Sequence, residues 1–271
     1  MTPVLAFDIE TIPDIAGLRN VHGAHPDMSD AQVAELAFER RREATGSDFL
    51  PLHLHRVIAI SCALREPNGF TVWSLGDAHD PEGELLQRFF DGVEKFIPQL
   101  VSWNGAGFDL PVLNYRALVH RVRAQRYWDL GEDDRDFRWN NYINRYHMRH
   151  LDLMDLLSLH QRRAAAPLHD MALLLGFPGK LGMEGSEVWA AFQRGELHAI
   201  RSYCETDAAN TYLVFLRFQL LRGALSEPQY ERELDLVHET LSRSPGAHWQ
   251  EFLGAWRRDS DNGSGRRLAA R

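Results

Sequence analysis

Short apolar runs alternate with helical periodicities along this chain. Residues 3–9 (Pro-Val-Leu-Ala-Phe-Asp-Ile), 57–64 (Val-Ile-Ala-Ile-Ser-Cys-Ala-Leu) and 69–75 (Gly-Phe-Thr-Val-Trp-Ser-Leu) are rich in strand formers. The turn signal Glu66-Pro67-Asn68-Gly69 makes a hairpin of the second and third runs. A helix is predicted from about Asp80. Asp80 reads as its N-cap, Pro81 fits the first helical position, and Glu82 and Glu84 suit the positive end of the dipole. Leu85, Leu86, Phe89, Phe90, Val93 and Phe96 follow at helical spacing, and Pro98 closes the element. Residues 100–103 form a very short strand that stops at Asn104-Gly105, and another helix starts near Asp109. Beyond residue 150 the pattern is helical, with breaks near Pro167, Pro178-Gly179 and Pro228.

This order predicts an α/β sheet flanked by helices. Two insertions interrupt it. Residues 13–50 contain an amphipathic helix at roughly 29–45, and residues 122–148 are polar and aromatic and read as irregular. The sheet domain is expected over 1–222. A helical extension over 223–257 carries helices near 227–243 and 248–257, and 258–271 reads as a disordered tail.

Composition changes this picture little. With 271 residues, 44% hydrophobic and 25% charged, the chain can bury a sizeable core. No stretch approaches the roughly 18 apolar residues of a membrane span, so no membrane association is expected. The start, Met-Thr-Pro-Val-Leu-Ala-Phe-Asp, lacks a basic n-region and a long apolar run, so no secretory signal is expected. Two cysteines, Cys62 and Cys204, neither staple a chain of this size nor show metal spacing, and a reducing cytoplasm is the expected location. A net charge of −8 argues against coating long nucleic acid with a broad basic face, though not against gripping one strand end.

Three segments carry candidate chemistry. Asp8 and Glu10 alternate on a strand and so project to one side; the pair reads as a divalent-cation site or as a strand end turning into solvent. In Asn104-Gly105-Ala106-Gly107-Phe108-Asp109 a strand gives way to a helix, and Asp109 alone reads first as an N-cap. Tyr203 and Asp207 are four apart on a long helix and share a face; alone, they read as a solvated acid beside a partly buried tyrosine. Phe108 reads equally as core or as a stacking surface, Lys180 as a surface lysine or a phosphate contact, and Asp152 first as a helix cap. His22, His25, His53 and His55 lack a third ligand for zinc, Arg40-Arg41-Arg42 reads as a solvated helix face, and no Gly-x-Ser-x-Gly elbow is present.

Taken together, Asp-x-Glu on the first strand, Asn-x₃-Phe-Asp after a later strand and Tyr-x₃-Asp on a late helix resemble the three motifs of the DEDD exonuclease superfamily. The tyrosine four residues before Asp207 resembles the DEDDy subclass; the histidine subclass would carry His where Ser202 stands. More closely, residues 103–118, 151–157, 179–185 and 203–207 resemble bacterial proteins described as predicted 3′→5′ exonucleases related to the exonuclease domain of family-B DNA polymerases. The resemblance covers about residues 1–220. It implies a ribonuclease-H-like fold, with a five-stranded mixed sheet flanked by helices and the fifth strand around 149–151. It also implies two divalent cations, Mg²⁺ or Mn²⁺, held by Asp8, Glu10, Asp109 and Asp207, with Tyr203 orienting water and Asn104, Phe108 and Lys180 contacting substrate. The expected substrate is a single-stranded 3′ end, DNA before RNA. The alternatives are an exoribonuclease on short RNA and a catalytically silent nucleic-acid-binding protein.

Overall fold

The apolar runs pair into one sheet. A computed structural model describes residues 2–23 and 25–257. Strands β1 (Val4–Pro13), β2 (His55–Glu66), β3 (Gly69–Ser74), β4 (Gln99–Ser102) and β5 (His150–Asp152) lie in the order β3-β2-β1-β4-β5. The first three are antiparallel neighbours, while β4 runs parallel to β1 and β5 parallel to β4. The predicted hairpin is present, with Glu66 opposite Gly69. The tail expected over 258–271 lies outside the described residues.

Eleven helices are described: α1 (Ile15–His22), α2 (Asp30–Thr45), α3 (Glu82–Phe96), α4 (Asp109–His120), α5 (Gln125–Trp128), α6 (Leu153–Leu157), α7 (Leu168–Leu174), α8 (Val188–Gln193), α9 (Leu197–Leu221), α10 (Glu227–Arg243) and α11 (Ala247–Ala255). None is long and apolar enough to cross a membrane among the described residues. Helix α2 starts where expected, because Ser29 and Gln32 form a reciprocal capping box.

Alternation along β1 separates two layers. Leu5, Phe7 and Ile9 join Leu86, Phe89, Phe90 and Val93 of α3 and Leu113 of α4 on one face. Ala6, Ala63, Val101 and Leu151 meet Ala208, Tyr212 and Leu213 of α9 on the other. Tyr230, Leu234 and Val237 of α10 and Trp249 and Phe252 of α11 belong to that second cluster, so the C-terminal helices share the core of the sheet.

The segment 122–148 is mostly irregular but firmly anchored. Tyr127, Phe137 and Tyr142 are buried, and the Tyr142 hydroxyl donates to the Pro98 carbonyl at 2.8 Å. Asp129 accepts the backbone N–H groups of Gly131, Glu132, Asp133 and Asp134.

Two expectations about α3 are corrected. The helix begins at Glu82 with Pro81 at the cap position, and Asp80 turns back to accept the Asp77 N–H at 2.8 Å. Glu82 does not sit exposed at the dipole. It is buried and accepts the Val57 N–H at 2.7 Å, two guanidinium N–H groups of Arg116 and the His120 ring. Arg116 also donates to Asp14, so one buried guanidinium ties α4, α3 and the end of β1 together.

Candidate active site

The parallel pairing of β1 with β4 runs from Val4 opposite Gln99 to Ala6 opposite Val101, and Asp8 and Glu10 follow it, beyond the carboxyl end of β4 where open α/β sheets bind ligands. Asp8 and Glu10 project from β1 towards α9. Between Glu10 and Thr11 the β1–β2 register slips, since Glu10 faces Ala59 and Thr11 faces Val57. The extra residue, Ile58, packs with Ile12, Ile200 and Tyr203 into a small apolar cluster beneath the site.

Helix α9 supplies the opposing side. Cys204 donates its thiol to the Asp8 carbonyl at 3.3 Å, fixing the helix against the strand. Tyr203 and Asp207, one turn apart, are both buried. One carboxylate oxygen from each of Asp8, Glu10 and Asp207 lies within 4.8 Å of the others. Asp207 Oδ1 is buried with no hydrogen-bond partner. An all-carboxylate set with an unpartnered buried oxygen fits a hard divalent cation.

Burial, then Asp109, Asp207 and Glu10, push the Asp8 pKa well above the ordinary carboxylate value. Burial and then Asp207 do the same to Glu10. Burial also raises Asp207 and lifts Asp109 to about 7. These shifts are the cost of crowding acids away from water.

Asp109 stands beside that trio rather than within it. Phe108 occupies the cap position of α4, so the N-cap reading of Asp109 does not hold. The carboxylate is faced instead by the backbone N–H groups of Asp109 itself and of Ile9. The loop before it is tight. Asn104 adopts φ 65°, and a Cβ on Gly105 would stand 2.5 Å from Ser102 Cβ, which only glycine avoids. Asp152 caps α6 through the Asp155 N–H and also accepts the Asn104 and Ala106 N–H groups at 3.0 and 2.8 Å. It therefore anchors the loop that delivers Asp109. The Asn104 side chain folds back over Gly107. Phe108 is half-buried, with ring contacts to His55 at 5.4 Å and to the exposed Phe49 at 5.8 Å.

Lys180 enters from the loop after α7. Its ammonium lies 3.3 Å from Asp207 Oδ2, donates to the Tyr203 hydroxyl and sits 5.0 Å from the centre of that ring. Burial pulls its pKa down, but Asp207, Asp8 and Glu10 more than offset this, so the amine stays charged. Two residues not singled out in the sequence place this loop. Asn210, on the same face of α9 as Asp207, bonds both the N–H and the carbonyl of Gly179, and His169 Nδ1 accepts the Lys180 N–H at 3.0 Å. The signal for Asn210 was a polar residue one turn beyond Asp207 among apolar neighbours; His169 gave none.

Residues 47–256 match the family described as a predicted 3′-5′ exonuclease related to the exonuclease domain of PolB. The chain belongs to this family. The match includes Asp109, Lys180, Tyr203 and Asp207 and begins after Asp8 and Glu10, which the geometry alone brings to the same place. No curated protein matches the chain.

Proposed function

We propose that this family member is a metal-dependent 3′→5′ exonuclease acting on single-stranded DNA. The observation that carries the reading is the trio of partly buried Asp8 and buried Glu10 and Asp207, with the unpartnered Asp207 Oδ1, in a chain of exonuclease kinship. These three residues would hold one Mg²⁺ or Mn²⁺, and Asp8 with Asp109 a second. Such a cation pair lowers the pKa of the attacking water and offsets charge on the leaving 3′-oxygen.

The chain's own groups do the rest. Burial and the neighbouring carboxylates raise the Tyr203 pKa far above an ordinary phenol, so the hydroxyl stays protonated and is no general base. It orients the attacking water by hydrogen bonding. Lys180 presents a fixed positive charge towards the scissile phosphate. Phe108, backed by Phe49 and His55, offers a face to the terminal base, and Asn104 steadies the loop beneath it. Tyr203→Phe removes a single hydrogen bond, so single-turnover cleavage slows about tenfold with the metal requirement unchanged. An equal rate would remove Tyr203 from the mechanism.

The raised carboxyl pKa values also fix a stability trend. Groups whose folded pKa exceeds the unfolded value stabilise the fold at low pH and lose that contribution as pH rises through the folded pKa. Without metal, melting temperature therefore falls between about pH 5 and pH 8, spanning the Asp109 value near 7. Mg²⁺ or Mn²⁺ at a hundred times its Kd restores about 2.7 kcal/mol at the upper end. Differential scanning fluorimetry in EDTA and in metal reads both effects; a metal-independent melting curve would contradict the site.

The test of polarity and substrate uses single strands labelled at either end. A 3′ label leaves at once as a mononucleotide, a 5′ label gives a shortening ladder, and DNA is cut faster than RNA of the same sequence. Faster RNA cleavage would select the exoribonuclease reading, and binding without cleavage the silent one.

A further inference from the structure

A polymer whose last phosphodiester sits at the carboxylates extends away from them across the surface. Two cavities of similar size border residues next to the site. One, about 760 Å³, lies beyond Lys180 and is bordered by Asp170, Glu184 and Glu187: three carboxylates against one ammonium. The other, about 750 Å³, opens beside Asn104 and Gly107, two residues from Asp109. Its outer wall is the 122–148 insertion and the segment after α6, and its ionic groups are Arg145 and Arg162 against Asp155. A polyanion is favoured in the second cavity and opposed in the first.

The second cavity also has the surfaces a base requires. Trp128, half-exposed, presents an indole to it. Asn114 lines it, with a side-chain oxygen that is buried and has no hydrogen-bond partner. Arg162 is exposed, and Arg145 spans to Asp155 at 3.0 Å on the far wall. Behind Trp128 the Tyr127–Tyr142 stack, tied to Pro98 by the Tyr142 hydroxyl, joins this wall to the core.

We propose that the 122–148 insertion, with the segment after α6, builds a strand-holding subsite for the nucleotides just 5′ of the scissile bond, with stacking on Trp128, phosphate contacts from Arg162 and Arg145, and Asn114 Oδ1 accepting a hydrogen bond from a base or sugar. The proposal rests on the nuclease reading and adds to it a path for the strand and a preference for length. The insertion thereby makes the enzyme prefer strands of several nucleotides over dinucleotides.

Two measurements test it. The first compares kcat/KM on a single-stranded octanucleotide and on a dinucleotide for wild type, Trp128→Ala and Arg162→Ala. Each variant lowers the octanucleotide value about tenfold more than the dinucleotide value, through KM. An equal effect on both substrates would overturn the subsite. The second uses Asp8→Asn protein and an octanucleotide carrying 5-iodouracil three positions from its 3′ end. Irradiation crosslinks it to a peptide within 125–146. Crosslinks to 182–187, or none at all, would overturn the path. If wild type cleaves neither substrate, the nuclease reading fails, and the crosslink still decides whether this cavity holds the strand.

Discussion

Asp8→Asn abolishes cleavage and yet stabilises the metal-free protein. Asp8 stands against Asp109, Asp207 and Glu10, and its pKa is raised by burial and by all three. An amide of the same shape relieves that repulsion. The variant is therefore expected to unfold at a higher temperature than wild type at pH 8, where the neighbouring acids repel one another most. The same change removes a charged oxygen from the trio that would bind metal, and cleavage falls at least a thousandfold, below what a ladder shows, equivalent to about 4 kcal/mol of barrier or more. A structural acid would behave in the opposite way, with activity retained and stability lost. Thermal unfolding in EDTA and single-turnover cleavage on the same preparation distinguish the two. A destabilised, active Asp8→Asn protein would remove Asp8 from the site.

The largest loss of stability comes from Arg116→Leu. The Arg116 side chain is 4% exposed and its partners Glu82 and Asp14 are 3% and 12% exposed. Removing the guanidinium leaves Asp14 with no countercharge and buried Glu82 with only the His120 ring and the Val57 N–H, which costs about 3–5 kcal/mol. Exchanging all three for apolar residues of similar volume recovers most of that, because the penalty lies in the unpaired acids. Activity falls as well, since Arg116 holds α4 against α3 and the end of β1, and Asp109 is the first residue of α4. Urea unfolding measures the effect; a loss below about 1 kcal/mol would show that water reaches the acids.

How much was legible in advance follows from the range of each interaction. Short apolar runs specify β1 to β4, because a strand needs only its own alternation. The second half of β1 was hidden, since Asp-x-Glu-Thr breaks the apolar pattern while pairing with β2 continues to Pro13. The three acidic motifs were visible because each depends on local context, a strand end or a helix turn. Partners 34 to 168 residues apart were not. Glu82 reads as a dipole residue until Arg116 is placed against it, and Arg65 gives no hint of its pairing with Glu233. Asp80 looks like a helix cap, yet its carboxylate bonds backwards to Asp77, a choice of loop geometry and not of propensity. Lys180 was noticed for its glycine neighbours. Its contact with Tyr203 and Asp207 needs Asn210 and His169 to hold the loop, and nothing local announces that.

The central claim is that the carboxylates of Asp8 and Glu10 on β1 and of Asp207 on α9 make this protein a metal-dependent nuclease. The most direct measurement is digestion of a 5′-labelled single strand by wild type and Asp8→Asn in Mg²⁺, Mn²⁺ or EDTA. The account predicts a ladder shortening from the 3′ end in either metal, none in EDTA and none from the variant. Cleavage that persists in EDTA, or in Asp8→Asn, would contradict it.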